Sequence, residues 1–420
     1  MHILAGYYWS EFLATPQLFR IDHAHGQEEQ IPTLLLKANT LLLKYVVQGS
    51  PLELVVARCR ERLLYGVRVF DDAAKPATIW SIAEHEVERN ALLGLIGRSD
   101  CPMFLFNELA LNAAWANVSL ELPREASALI ESSTLGPLDH SAMKEEAGNV
   151  IDSLPQTGGA EVPNFSMPLK PLHEWRETVN HYITNGGRAS PVNLLNRDEG
   201  GQQEQLAVWL TDNLQLAGAF HSPQVPKGAG RRELTDLLLT HQFGTTLIES
   251  KTLTIFNRPT LPTRDDLAAD VSKHIDKAVA QLRGAVRKLR SGVPIYDKSG
   301  PELQVERAHP VHAIVLLPDF DLVQDAARYD RKFMADFMQA TKGFLHFLDV
   351  AELLRVVQAS EMLAKLGTTT TPMMAFDYYL IERAQKTLAA GTPIIEVLLR
   401  IADSADDAKP SGLGPPTSAA

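Results

Sequence analysis

Residues 232–255 constrain this chain more than any other stretch. Two runs rich in apolar and β-branched residues flank a short polar break, the pattern of an antiparallel hairpin. With Thr240 opposite Thr245 around a four-residue loop at 241–244, Asp236 faces Glu249. Their side chains then share one face, roughly 5 Å apart. Side chains alternate along a strand, so Lys251 projects beside Glu249 while Ile248 and Ser250 point the other way. Two carboxylates that close repel unless a cation lies between them, and hard oxygen donors suit Mg²⁺, with Mn²⁺ as a substitute. The group predicts metal-assisted hydrolysis of a phosphodiester. A cross-strand ion pair of small energetic weight would use the same residues. Acid-x-Lys also occurs at Asp330-Arg331-Lys332 and Asp407-Ala408-Lys409, but only the copy at 249–251 lies in a run that reads as a buried strand.

The neighbouring elements follow from periodicity. Residues 200–214 read as a helix with apolar positions 206, 209, 210 and 214, and Glu204 falls in its first turn, where the helix dipole favours a carboxylate. Asp265 and Asp266 open a helix to about residue 290, apolar at 267, 271, 275, 279, 282, 286 and 289. At roughly 100° per residue, Lys273, Lys277, Gln281 and Lys288 form a separate stripe able to donate to phosphates. Strands are expected over 217–225, 311–317 and 344–348, with a helix over 322–340. From residue 204 the order is therefore helix, three strands, helix, strand.

That order, with Asp236 on the second strand and Glu249-Ser250-Lys251 on the third, resembles the PD-(D/E)XK, or restriction-endonuclease-like, nuclease superfamily over residues 171–360. The resemblance implies an α/β fold with an αβββαβ core, a mixed central sheet flanked by helices. It also implies that Asp236, Glu249 and the Ser250 carbonyl bind Mg²⁺ and that Lys251 orients or deprotonates the attacking water. Glu204 and Gln281 match a glutamate on the family's first helix and a glutamine on the helix after its third strand; the first would complete a second metal shell and the second would hold water or phosphate. The implied activity is a Mg²⁺-dependent endonuclease acting on DNA in preference to RNA. Within the superfamily the arrangement is similar to the nuclease domain of Shedu-type phage-defence proteins, which implies prokaryotic antiviral defence or DNA processing. A nuclease-fold scaffold that binds nucleic acid or protein without cutting is the alternative.

Charge bears on the partner. The chain carries −11 overall, yet residues 227–290 hold twelve Lys or Arg against seven Asp or Glu, a local +5 that leaves −16 for the remainder. A polyanion is thus favoured only around the candidate site. Residues 1–130 read as a separate α+β domain with a regulatory or recognition role and its own protein or nucleic-acid partner. Residues 131–170 read as a linker, 361–405 as helices that cover the core or join subunits in a homo-oligomer, and 406–420 as a disordered tail. Two cysteines without CxxC spacing fit a reducing cytoplasm and exclude a cysteine-rich zinc module. The most apolar stretch, 31–47, is interrupted by Lys37 and Lys44 and is too short to span a bilayer, so no membrane partner is expected.

Overall fold

The computed structural model describes residues 6–24, 30–137, 141–153, 164–183, 189–214, 218–366, 369–393 and 395. The chain is a mixed α/β protein built on two main sheets. The first holds β1 (Leu18–His23), β2 (Pro32–Lys37), β3 (Leu52–Cys59), β4 (Arg62–Val69), β5 (Ala77–Ile82), β6 (Asp100–Phe106), β7 (Asn112–Ser119), β8 (Phe165–Pro171) and β9 (Arg176–Glu177). Its order is β1-β2-β6-β7-β8-β3-β4-β5, with β9 on β7. Helices α1 (Gly6–Ala14), α2 (Thr40–Val47), α3 (Glu86–Leu95), α4 (Ala126–Ser132) and α5 (Ser141–Ser153) accompany it.

The span 131–170 is not the expected linker. It supplies α5 and β8, and β8 pairs with both β7 and β3, joining the two halves of the sheet. Its apolar pattern is sparse because Met167 and Leu169 of β8 turn inward with only Phe165 partly buried beside them. Trp175 and Leu194 complete the same core, so the first unit reaches beyond the expected boundary at 171.

After a small hairpin, β10 (Asn180–Ile183) with β11 (Ala189–Val192), the chain enters α6 (Glu199–Asp212), β12 (Gly218–His221) and the hairpin β13 (Gln224–Lys227) with β14 (Gly230–Glu233). There follow β15 (Leu237–His241), β16 (Gly244–Ser250), α7 (Arg264–Arg290), β17 (His312–Leu317), α8 (Arg331–Thr341), β18 (Phe344–Asp349), α9 (Val350–Leu366) and α10 (Pro372–Ala390). The second sheet runs β12-β15-β16-β17-β18, antiparallel up to β16 and parallel beyond it. Alternation sorts its side chains. Leu238, Leu247, Ala313 and Val315 pack with α7 and α8, whereas Leu239, Ile248, Ile314 and Leu316 pack with α6, α9 and α10. Among the described residues, no helix is long and apolar enough to cross a membrane.

The register of the central hairpin is the expected one, Thr240 facing Thr245, but the turn is shorter: His241 pairs with Gly244, leaving two residues rather than four. The strands are also shorter. Ser222, at φ +52°, and Pro223 break the run expected over 217–225, and β13–β14 leaves the sheet as a separate hairpin. Past Ser250 the Lys251 N–H still donates to Leu316 of β17, and further on Ile255 and Phe256 leave the ladder and donate to Glu199 Oε2 at 2.8 and 3.2 Å. Leu253 and Ile255 are buried beneath α7, so their spacing reflects burial rather than pairing. Helix α8 starts at Arg331, capped by Asp330, rather than at 322. The region expected to be helical at 361–405 carries the end of α9 and all of α10, while the expected tail at 406–420 lies outside the described residues.

The N-terminal unit is not a detached domain. Leu41 and Tyr45 of α2 belong to the core beneath α7, and Tyr45 Oη donates to the Pro262 carbonyl at 2.7 Å. Lys44 Nζ donates to Glu199 Oε1 at 2.6 Å with both side chains buried, and Asn39 Nδ2 donates to Asp319 Oδ2 at 2.7 Å. Removing one partner of a buried pair strands the other charge. Lys44→Met is therefore expected to destabilise the protein by about 3–5 kcal/mol in chemical denaturation, and adding Glu199→Gln to recover part of that loss. Equal stability of wild type and Lys44→Met would show that the pair does not hold the two sheets together.

Candidate functional site

Asp236 lies one residue before β15 and Glu249 one residue before the end of β16, at the end of the sheet away from the hairpin turn. Toward β16 Asp236 uses its side chain, Oδ2 accepting the Ser250 N–H at 2.6 Å, while toward β12 its carbonyl accepts the Ser222 N–H as the next rung of that ladder. Thr235 Oγ1 donates to the Ile248 carbonyl at 2.8 Å, which fixes the approach to Asp236. Lys251 lies beyond the strand, anchored by its own N–H to the Leu316 carbonyl. Its Nζ stands 2.9 Å from Glu249 Oε2 and 3.8 Å from Asp236 Oδ2. The three expected side chains thus meet. Ser250 turns its N–H to Asp236 and its hydroxyl to Gln203 Nε2, at 3.0 Å.

Further acids crowd the same place. Burial pushes Glu249 up to about 7, Asp236 adds to the rise, and Lys251 opposes it. Glu233, on β14, is also raised to about 7 by burial, by the charge of Asp236 and by a hydrogen bond shared with it. Burial raises Asp236 too, against the pull of Lys251 and the Ser250 N–H. Glu204 contributes to the field at both Asp236 and Glu233 and pairs with His221 Nε2 at 3.3 Å. Glu233, His221, Gln203 and Thr235 were not expected from the sequence. Glu233 was hidden because residues 232–236 read as one strand with 237–241, whereas the break before Asp236 brings β14 in from the side.

Helix α7 contributes the basic wall. Lys277, Gln281 and Lys288 line a groove of about 360 Å³ with Arg232, Glu233 and Leu234, floored by Ala280, Gly284 and Ala285. Burial lowers the Lys288 ammonium, and the nearby Arg232 and Lys227 lower it further. Lys273 does not follow the stripe in use: it is largely exposed and pairs with Asp270 at 3.3 Å. His274, one residue on, is half-buried and held below its usual range first by burial, with Lys251 among the charges acting on it. Helical geometry could have flagged it, since it lies on α7 between the apolar face and the lysine stripe.

The hard oxygens of Asp236 and Glu249 suit Mg²⁺, and two carboxylates raised by burial, Glu249 also by the charge of Asp236, carry charge that such an ion would balance. Lys251 already balances part of it. Among the described residues, no three or more His, Cys, Asp or Glu are arranged to hold a metal ion as they stand. An ion here would rest on the two carboxylates, completed by backbone oxygen and water. Comparison with protein-family models, curated proteins and solved structures gave no match for this chain.

The crowding of Lys227, Arg232 and Lys288 has a measurable consequence. Lys288→Met is expected to leave stability unchanged or slightly higher at low salt, with any gain vanishing near 0.5 M salt, where screening is strong. A marked salt-independent loss of stability would show that Lys288 makes a structural contact instead.

Proposed function

We propose that this protein is a divalent-cation-dependent nuclease of the restriction-endonuclease-like kind, hydrolysing phosphodiester bonds of DNA in preference to RNA. The observation that carries the proposal is the convergence of Asp236, Glu249 and Lys251 at one end of the sheet, beside a groove walled by Arg232, Lys277 and Lys288. The succession of α6, β12, β15, β16, α7 and β17 supports it, being the element order of that superfamily's core. The likeness to Shedu-type nuclease domains, and with it a role in prokaryotic antiviral defence or DNA processing, belongs to the same proposal.

Asp236 and Glu249 would hold Mg²⁺, which supplies an activated water and charge neutralisation at the phosphate. The chain's own groups supply position and proton handling. Lys251 Nζ, fixed between the two carboxylates as an ammonium, would orient the attacking water, or take its proton after first releasing its own to solvent. Glu233 shares a hydrogen bond with Asp236 and sets how much negative charge that carboxylate carries. Lys277, Gln281, Lys288 and Arg232 hold the phosphate backbone in the groove.

Plasmid and linear DNA are expected to be cut by the full chain with Mg²⁺, and Lys251→Ala and Glu249→Gln to lower the rate by about 100-fold or more. Wild-type cleavage by both variants would reject these roles. One observation favours a second reading, a non-cutting scaffold: Lys251 is already paired with both carboxylates. Calorimetry separates the two, since a scaffold shows no Mg²⁺ or Mn²⁺ heat that depends on Asp236.

A further inference from the structure

The opposite end and opposite face of the second sheet carry ionisable groups that the proposed reaction does not use. His241 ends β15, His312 opens β17 and His346 lies within β18. The register puts all three on the face covered by α9 and α10: Thr246 pairs with His312, Ile314 pairs with His346, and Leu239, Ile248 and Ile314 share a core with Phe376 and Leu380 of α10. Asp377 follows Phe376. Its Oδ1 stands 3.7 Å from His241 Nε2 and 3.5 Å from His312 Nε2. On its other side His312 Nδ1 is hydrogen-bonded to His346 Nε2 at 2.9 Å.

Hydrogen bonding does not complete this group. His241 Nε2 is buried without a hydrogen-bond partner, and so are Thr246 Oγ1 and His346 Nδ1. Buried polar atoms are nearly always paired, so three orphans in one place call for another explanation. Gly244, the pairing partner of His241, leaves room there. A Cβ at 244 would lie 3.6 Å from His241 Nε2 and 3.9 Å from Asp377 Oδ1, so the space before both donors is open because that side chain is missing.

Two imidazole nitrogens and one carboxylate oxygen form a donor set that suits a zinc-class ion and leaves a fourth position for water. Bonds of roughly 2.0–2.2 Å at tetrahedral angles set neighbouring donors roughly 3.3–3.6 Å apart. The 3.5 Å separation from His312 lies within that range and the 3.7 Å separation from His241 just beyond it. Burial favours the neutral form of His312 and His346, the form in which imidazole binds a metal. His346 has the place of an outer partner that fixes the orientation of a ligating ring through its other nitrogen. As they stand the three donors do not form a finished ligand set. Asp377, whose side chain is 18% exposed against 9% for His241 and 5% for His312, is the one with most freedom to turn inward.

We propose that His241 Nε2, His312 Nε2 and Asp377 Oδ1 close around one zinc-class divalent cation, clipping α10 to the β15–β16 turn. The site is distinct from the carboxylate pair and does not depend on the nuclease reading. Its test is titration of the chelator-treated full chain with Zn²⁺ by calorimetry and with Co²⁺ by visible absorption. One equivalent is expected to bind, with the intense visible bands of tetrahedral Co²⁺ and a rise in Tm of roughly 3 °C at a hundredfold excess over Kd. His241→Gln and Asp377→Asn are each expected to weaken binding at least about tenfold, while Glu249→Gln leaves it unchanged. Absence of a stoichiometric site in the wild type would overturn the proposal. So would binding that survives both His241→Gln and Asp377→Asn, or binding lost in Glu249→Gln, which would place the ion at the carboxylate pair. If Asp377→Asn fails to fold, His241→Gln beside the exposed turn gives the same readout.

Discussion

The buried carboxylate of Glu199 organises the middle of this molecule. One oxygen takes the ammonium of Lys44 from the first sheet's α2, and the other takes the N–H groups of Ile255 and Phe256 from the segment after β16. A charge removed from water persists only when it is paired and its remaining lone pairs are filled, and here both conditions are met by chain segments far apart in sequence. Because Glu199 begins α6, the same contacts set where that helix presents Gln203 and Glu204. They also hold Ile255 and Phe256, downstream of Lys251, away from the sheet. One group thus links the junction between the two units, beside the Tyr45 and Asn39 contacts, to the geometry of the carboxylate site.

The site itself is a concentration of negative charge only partly neutralised. Glu233, Asp236 and Glu249 are all raised by burial, and the charge of Asp236 adds to the cost of ionising both Glu233 and Glu249. Lys251 answers two of them, and the positive charge of Lys277, Lys288 and Arg232 stands beside the cluster rather than within it. Negative charge at one point with positive charge along the adjoining groove suits a cation at the first and a polyanion along the second. That separation explains how a chain of net charge −11 can present a basic surface.

The hairpin register was legible because alternation and a polar break allow few pairings, and a slip of one residue would turn Leu237, Leu239, Leu247 and Glu249 to the wrong faces. Helix α7 was legible for a similar reason: its apolar residues recur over 27 residues and a capping box marks its start. Strand ends were less so. Nothing local distinguishes Leu253 and Ile255, buried beneath a helix, from residues paired in a ladder, because both settings reward the same side chains. The span 131–170 reads as a linker for the converse reason. β8 buries few apolar residues of its own and is held by backbone pairing to β3 and β7, which leaves little trace in composition.

By itself, the sequence determined the alternation, the periodicity and hence the opposition of Asp236 and Glu249, since these depend on a repeat of two or 3.6 residues read along a single segment. Tertiary structure alone decided that Glu233 and His221 join the carboxylates, that Lys273 turns to Asp270, and that three histidines and Asp377 gather at the far end of the sheet. Those placements arise from contacts between distant segments, whose energies come from burial and charge shared across the whole fold rather than from the preferences of neighbouring residues.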